Sequence, residues 1–271
     1  MTDTTDLLSN PSYKKALIDL LYQLADDDFM VAYRGSEWLG LAPHIEEDVA
    51  FSSISQDTMG HATMFYELLE QLGEGKANDL AHGRTAAERK NAILVEEVNG
   101  PGHYLKEPHY DWAFAVARHY CYTLAKKLKM ASLQQSSYEP LAHIAVKVNM
   151  ELHYHLMHWQ TWFTQLTSIP GEPQERMLAA FQLVCDEMQG VLHLGTYGKE
   201  LAENGIIISE DELSEAWLAD MKLLLQNHRI PNKVAIKMKS GNGRIGEHTE
   251  DLVSALNTLS EVYQQDPTAA W

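Results

Sequence analysis

The chain has 271 residues, of which 45% are hydrophobic, so it could form one large domain or two smaller ones. Its 38 acidic residues outnumber its 21 basic residues, and the formal net charge at pH 7 is −17. A surface this acidic disfavours nucleic-acid and membrane binding and favours docking to a basic protein surface. No apolar run approaches the roughly 20 residues that span a bilayer, and no signal region is recognisable at the N-terminus. We therefore expect a cytoplasmic protein in which Cys121 and Cys185 are reduced core thiols.

The spacing of apolar residues predicts helices and no useful strand, so the expected fold class is all-α. The predicted helices cover approximately 13–39, 45–72, 109–132, 139–166, 174–203, 209–227 and 247–264. A long crossover over 74–107, with a short helix at about 86–98, connects the second helix to the third. Ser209 and Glu212 form a capping-box pattern. This layout predicts one ferritin-like domain over 1–271, a four-helix bundle (about 13–168) with additional C-terminal helices (about 174–264).

Two of the long helices carry an acid and a histidine four residues apart on a predicted apolar face. Asp57 and His61 lie on the second helix, and Glu151 and His155 lie on the fourth. Residues with this spacing point in the same direction, here into the bundle. A buried charge needs a partner, so we expect each acid either to bond the histidine of its own helix or to take part in a metal site.

The spacing departs from that of di-metal bundles, in which two helices each give one Glu and the other two each give Glu-x-x-His. Thr58 and Leu152 stand where the Glu of each Glu-x-x-His motif should stand. The third helix has no acid after Asp111, at its start, and Thr123 occupies the approximate level of a bridging carboxylate. We therefore expect the relic of a metal site, with no metal or other cofactor bound to this chain. The alternative is that some metal still binds at these groups.

The first long helix contains an acidic run, Asp26-Asp27-Asp28, which is unusual in a predicted bundle helix. A solvated helix face is the expected position of the run, although Asp26 could turn inward. Farther along the same helix, Arg34 and Glu37 lie three residues apart, and we expect Glu37 either to form an ion pair with Arg34 or to cap a neighbouring loop.

Four residues are candidates for contact with a partner: Trp38, Trp159, Trp162 and Arg244. Large aromatic side chains are the anchors that interfaces concentrate, but the same tryptophans also fit the core of the bundle. Arg244 lies in a Gly- and Lys-rich loop over 230–246, which could be a docking loop or an anion site. In the simpler alternative, Thr249 or Glu247 only caps the last helix.

Several short segments, spread from about residue 24 to the C-terminus, form a more specific pattern. They are Arg34-Gly-Ser-Glu37-Trp38-Leu-Gly40-Leu-Ala-Pro43, Val95-Glu96, Asn99-Gly100, Ala117-Arg118-x-Tyr120, Glu151-x-x-x-His155-Leu156, Gly243-Arg-x-Gly-x-His248-Thr249-Glu250 and Trp271. In this order they resemble the C subunits of phenylacetyl-CoA epoxidase, the multicomponent ring-oxygenating enzyme of phenylacetate degradation. One departure is His61, where related C subunits can carry Gln.

This resemblance implies a ferritin-like, metal-poor subunit that scaffolds the catalytic A subunit. It also implies that the A subunit holds the di-iron centre and most of the acyl-CoA site, and that other subunits of the complex supply electrons from NADPH. We therefore predict a structural subunit of an aromatic acyl-CoA monooxygenase, with these subunits as partners and without nucleic acid or membrane. The alternatives are an independent ferritin-like di-metal oxidase and a binding bundle unrelated to CoA chemistry.

Overall fold

The structure, a computed structural model, describes residues 4–228 and 234–269. Within these ranges the chain forms twelve α-helices and no strand, so the prediction of an all-α fold is confirmed. The helices are α1 (Thr4–Leu8), α2 (Pro11–Ser36), α3 (Ile45–Gln71), α4 (Ala77–His82), α5 (Ile93–Glu96), α6 (Trp112–Leu133), α7 (Glu139–Ser168), α8 (Glu172–Leu192), α9 (Gly198–Glu203), α10 (Glu210–Asn227), α11 (Glu250–Leu259) and α12 (Glu261–Gln265). Trp271 and the first part of the predicted 230–246 loop lie outside the described residues.

The long helices form a ferritin-like bundle, as predicted. α2 packs along α3, α6 packs along α7, and α3 also contacts α7. The crossover between α3 and α6 contains α4 and α5 and passes over α2. α8 then packs against both α6 and α7, so the C-terminal part of the chain adds to the bundle. The buried apolar side chains of these two parts belong to one cluster, which extends from Tyr13 to Leu256.

Three predicted helices differ from the observed elements. The predicted helix at 86–98 is replaced by a short 3-10 turn at Ala86–Glu88 and by α5. The predicted helix over 174–203 divides into α8 and α9 at Gly195, whose φ of +71° favours glycine and whose added Cβ would lie 2.8 Å from an amide nitrogen of Gln23. The last helix starts at Glu250, and it divides at Ser260 into α11 and α12.

The buried face of α7 is rotated from the predicted one. The apolar spacing of the sequence predicts a buried stripe through Ile144, Val148, Glu151, His155, Trp159, Trp162 and Leu166. Of these, Val148, His155 and Trp159 are buried and the other four are only partly buried. The buried residues are Leu141, Ala145, Val148, Leu152, His155, Trp159, Phe163 and Thr167. The rotation follows from packing, because α7 contacts α6 and α8 more extensively than α3 and turns its apolar face towards them.

Among the described residues, no helix combines the length and the apolar character that crossing a membrane requires.

Candidate functional site

The two acid–histidine pairs form between helices, and not within them. His61 Nε2 lies 2.6 Å from Glu151 Oε2, and His155 Nε2 lies 3.0 Å from Asp57 Oδ2. The expectation that each acid bonds the histidine of its own helix is therefore wrong. α3 and α7 lie side by side, and side chains that lean towards the neighbouring helix meet its residues first.

The members of each pair differ in burial. The side chains of His61 and His155 are 1% and 5% exposed, whereas those of Glu151 and Asp57 are 36% and 44% exposed. The expectation that both acids point into the core is wrong, because the buried stripe of α7 passes through Leu152 and leaves Glu151 at its flank. The histidines lie inside the bundle, and the carboxylates lie at the edge of the α3–α7 contact.

A buried lysine extends from α6 into the space beside these pairs. Lys126 places its Nζ 2.7 Å from His61 Nδ1 and 2.8 Å from Asp28 Oδ2, and its side chain is buried. It follows Thr123 by three residues and therefore lies on the same face of α6, the face on which a bridging carboxylate was sought. Sequence reasoning missed Lys126. The acidic run of α2 was the signal that could have found it, since buried carboxylates require cations from neighbouring helices.

The lysine fixes the tautomer of His61. An ammonium group donates hydrogen bonds and accepts none, so His61 Nδ1 is the acceptor and Nε2 carries the proton that is donated to Glu151. Burial and the charge of Lys126 lower the pKa of His61, which keeps the imidazole neutral. Burial also lowers the pKa of Lys126, and the Asp28 carboxylate opposes this change. These four residues form a continuous chain from the core to the edge, here named the Lys126 network. An ion pair joins Asp28 to Lys126, and hydrogen bonds join Lys126 to His61 and His61 to Glu151.

The acidic run of α2 is buried, so the prediction of a solvated helix face is wrong. Asp26, Asp27 and Asp28 are 0%, 2% and 1% exposed. Successive residues of a helix point about 100° apart, so each carboxylate faces a different part of the molecule. Asp26 has Arg84 and Arg89 as its cations, Asp27 has Arg244, and Asp28 has Lys126.

Asp26 joins α2 to α3 and to the crossover. The Tyr66 hydroxyl donates to Asp26 Oδ1 at 2.6 Å, and the backbone N–H of Lys90 donates to Oδ2 at 2.9 Å. Burial alone would raise the pKa of Asp26, but Arg84 and Arg89 outweigh this effect and lower the pKa to about 2. The carboxylate is therefore ionised at neutral pH, and its position follows the inward alternative left open for this residue.

Arg244 is an internal anchor of the C-terminal segment. Its Nη1 and Nη2 donate to the two carboxylate oxygens of Asp27 at 2.8 Å each, and also to the carbonyl oxygens of Lys90 and Val191. The Arg244 side chain is fully buried, so its charge is compensated inside the chain and is not presented as a docking or anion site. Thr249 caps α11 by accepting from the backbone N–H of Asp251, which confirms the capping alternative.

The candidate interface tryptophans lie mostly in the chain's own core. Trp38 and Trp159 are 4% and 0% exposed, and Trp162 is half-buried against the same core. Trp38 also donates its Nε1 proton to Asn99 Oδ1 at 2.9 Å. This placement favours the core alternative for Trp38 and Trp159, and the interface assignment of Trp162 stays a prediction.

Most of the segments that resemble epoxidase C subunits meet around α2, whereas the segment that begins at Glu151 lies on α7 against α3. Asn99 donates to Glu37 Oε2 at 2.8 Å and accepts from Trp38 and Arg118, and the predicted ion pair between Arg34 and Glu37 is present at 3.0 Å. A second junction is centred on Glu96, a buried acid that was not singled out as a site. Its partners are Asn91, His248 and Thr249. These residues hold the crossover and the C-terminal segment together, which is a structural role.

The donor set near His61 does not fit the di-iron centre that a ferritin-like fold suggests. α6 contributes the ammonium group of Lys126 and no carboxylate to this space, and a protonated amine cannot bind a metal. Both ring nitrogens of His61 are already occupied by Lys126 and Glu151. In the part of the chain that the structure describes, no group of three or more His, Cys, Asp or Glu side chains could hold a metal ion. The absence of metal from the protein stays a prediction.

The fold and the site define a ferritin-like bundle with a lysine of α6 buried between its helices. The whole chain, residues 1–271, matches the family described as Phenylacetic acid catabolic protein, and it belongs to this family. The chain is also 26% identical over 255 residues to the C subunit of 1,2-phenylacetyl-CoA epoxidase from Escherichia coli (strain K12). That match covers 92% of this chain and 96% of the relative, and the resemblance seen in the sequence segments is confirmed.

Proposed function

We propose that this chain is a non-catalytic structural subunit of a phenylacetyl-CoA 1,2-epoxidase, in which it scaffolds the di-iron catalytic A subunit. Membership of the phenylacetic acid catabolic family supports the pathway, and the similarity to an epoxidase C subunit supports the position in a multi-subunit enzyme. Partner subunits follow from this role. The net charge of −17 suits association with a basic partner surface.

The Lys126 network is the observation that carries the non-catalytic assignment. A di-iron bundle requires carboxylates from its helices to neutralise and bridge the two metal ions. Here Lys126 supplies the positive charge itself, and Asp28 and His61 are both committed to it. Metal at this place would have to displace a buried ammonium group and leave its charge uncompensated, which is strongly unfavourable.

A subunit without its own chemistry contributes to an oxygenase by stabilising the productive conformation of the catalytic subunit. In the proposed complex, the A subunit alone is poorly soluble or inactive with phenylacetyl-CoA, and addition of this chain restores activity. The rival function is an independent ferritin-like di-metal oxidase. Such an oxidase needs about two metal ions per chain at this site.

His61→Gln separates these functions, because a glutamine side chain can accept from Lys126 and donate to Glu151 in the same way as the neutral imidazole. The proposal expects the variant to support the A subunit as well as the wild type does in a reconstituted assay. Elemental analysis of the isolated wild-type chain is expected to give far less than one iron per chain. About two metals per chain, or oxidase activity of the chain alone that His61→Gln abolishes, contradicts the proposal.

A further inference from the structure

One face of α7 carries apolar side chains that remain exposed. Val146, Met150, Tyr154 and Met157 are 45%, 63%, 67% and 55% exposed. Their spacing of four, four and three residues places them on a single side of the helix, opposite the buried stripe. The outer face of a solvated helix is normally polar, and a continuous apolar stripe there indicates contact with another molecule. These four residues are named the α7 stripe.

Two carboxylates lie beside the α7 stripe, at the edge of the α3–α7 contact. Glu151 and Asp57 are more than a third exposed, and each bonds a histidine. Burial lowers the pKa of His61, and it also lowers the pKa of His155 even though Asp57 opposes this change. The imidazoles are therefore neutral at pH 7, and each acid–histidine pair has a net charge of −1. Lys147 precedes Glu151 by one turn, but the only described ion-pair partner of Glu151 is His61.

A groove borders the other side of the α7 stripe. It has a volume of about 780 Å³ and is lined mainly by the second half of α7, where Leu156 and Met157 lie among polar residues, together with Lys127 of α6 and His228. A ridge of apolar side chains next to a groove is the shape that receives the side chains of a packed helix. The surface is therefore suited to a helical partner, and its carboxylate edge requires positive charge on that partner.

We propose that the α7 stripe, with Glu151 and Asp57 at its edge, is the surface that docks the catalytic A subunit. The A subunit meets it with an apolar helical face flanked by Lys or Arg side chains. This inference rests on the function proposed above and assigns the surface that the function uses. Charge argues against a second copy of this chain as the occupant, since a symmetric contact would bring the same carboxylates of two chains together, each chain with a net charge of −17.

The double variant Met150→Arg/Tyr154→Arg tests the docking surface, because it places two positive charges in the contact and removes two apolar anchors. Binding to the purified A subunit is measured by titration, and the fold of each variant is checked by a thermal melt. We expect the dissociation constant to rise on the order of 100-fold without a change in melting temperature. Leu223→Arg on α10, which is 58% exposed in the wild type, is the matched control and is expected to bind normally.

The charged edge is tested separately by Glu151→Gln and Asp57→Asn, which keep the shape and the hydrogen-bond acceptor. Each is expected to weaken binding about threefold at low salt, with the difference disappearing at high salt. If the wild type binds the A subunit and the double variant binds it with the same affinity, the proposed docking surface is wrong and the proposed function remains intact. Failure of the wild-type chain to bind the A subunit overturns both. Sedimentation that shows a wild-type dimer, dissociated by the stripe variant, assigns the surface to a second copy and also overturns the inference.

Discussion

The carboxylates of α2 and those at the α3–α7 edge are the same kind of side chain in opposite situations. Asp26, Asp27 and Asp28 are fully buried, and each is neutralised by a guanidinium or ammonium group. Glu151 and Asp57 are partly exposed, and each bonds a neutral imidazole. The first set compensates its charge inside the chain and therefore fixes the fold. The second set keeps its charge, which is what an interaction with another subunit requires.

Removal of Lys126, the cation of Asp28, should have the largest effect on the stability of the protein. Lys126→Met preserves much of the side-chain volume but leaves a buried carboxylate with only the Tyr122 hydroxyl, at 2.6 Å. We expect the free energy of unfolding, measured by urea denaturation, to fall by about 4 kcal/mol. Lys127→Met, at the adjacent and more exposed position, should change it by less than about 0.5 kcal/mol. Equal effects of the two substitutions would show that burial of the ion pair has no energetic consequence.

The Asp27–Arg244 pair should show the next largest effect. Arg244→Met removes the bidentate partner of Asp27, although the backbone N–H of Ala92 still donates to that carboxylate at 2.7 Å. We expect the free energy of unfolding to fall by about 3 kcal/mol and the segment around residue 244 to be cleaved faster by proteases. The control is Arg176→Met, since Arg176 is 55% exposed and its pair with Asp111 should contribute less than about 0.5 kcal/mol. Unchanged proteolysis of the Arg244 variant would argue against its role as an anchor.

The sequence was sufficient to predict the class of fold and the approximate course of the bundle helices. Apolar periodicity and the proline and glycine positions carry that information, and the N-cap at Thr249 and the ion pair of Arg34 and Glu37 depend on residues close in sequence. The ends of α8 and α11 were less predictable, because Gly195 and Ser260 interrupt patterns that otherwise continue.

The site was less predictable because its partners are distant in sequence. Asp27 and Arg244 are separated by 217 residues, and His61 and Glu151 by 90. A helical pattern shows that residues share a face, but it does not show which neighbour that face meets. A small rotation of α7 was enough to move Glu151 from the expected core to the edge. Lys126 was missed for a related reason, since a lysine is rarely buried unless a partner from another element compensates it.

Glu97 differs from both sets, because it is a half-buried acid among other acids. It should make the stability of the folded chain depend on pH. Burial raises the pKa of Glu97 to about 7, Arg118 opposes this, and Glu187 and Asp251 reinforce it. The folded chain therefore holds this proton between pH 4.5 and 7 while the unfolded chain releases it, so stability should fall as the pH rises through this window. Because Glu97 is partly exposed, its pH-dependent contribution to the free energy of unfolding is limited to about 1–2 kcal/mol.

Glu97→Gln should remove that contribution. Wild type and variant are expected to have similar free energies of unfolding near pH 4.5. As the pH rises to about 7, the free energy of unfolding of the variant should increase relative to that of the wild type. Above about pH 7 the difference should stay constant. Urea denaturation across pH 4.5–8 measures the difference between the two proteins, in which the titration of all other groups cancels. A difference that is constant with pH would mean that Glu97 titrates normally in the folded chain.

The smallest effect is expected at the edge, where Glu151→Ala sharpens the contrast with Lys126→Met. The substitution leaves the Nε2 proton of His61 without its acceptor, which costs free energy when the donor is buried. Since the side chain of Glu151 is 36% exposed, removing it opens a path by which water can replace the lost oxygen. We therefore expect the free energy of unfolding to fall by about 1 kcal/mol for Glu151→Ala and by less than about 0.5 kcal/mol for Glu151→Gln, which keeps an acceptor in place.

The measurement is the same urea denaturation, with Glu139→Ala at the exposed start of α7 as a control. A loss near 4 kcal/mol for Glu151→Ala would place Glu151 energetically with the buried carboxylates of α2. The edge would then belong to the folding core, and its charge would no longer be available to a partner.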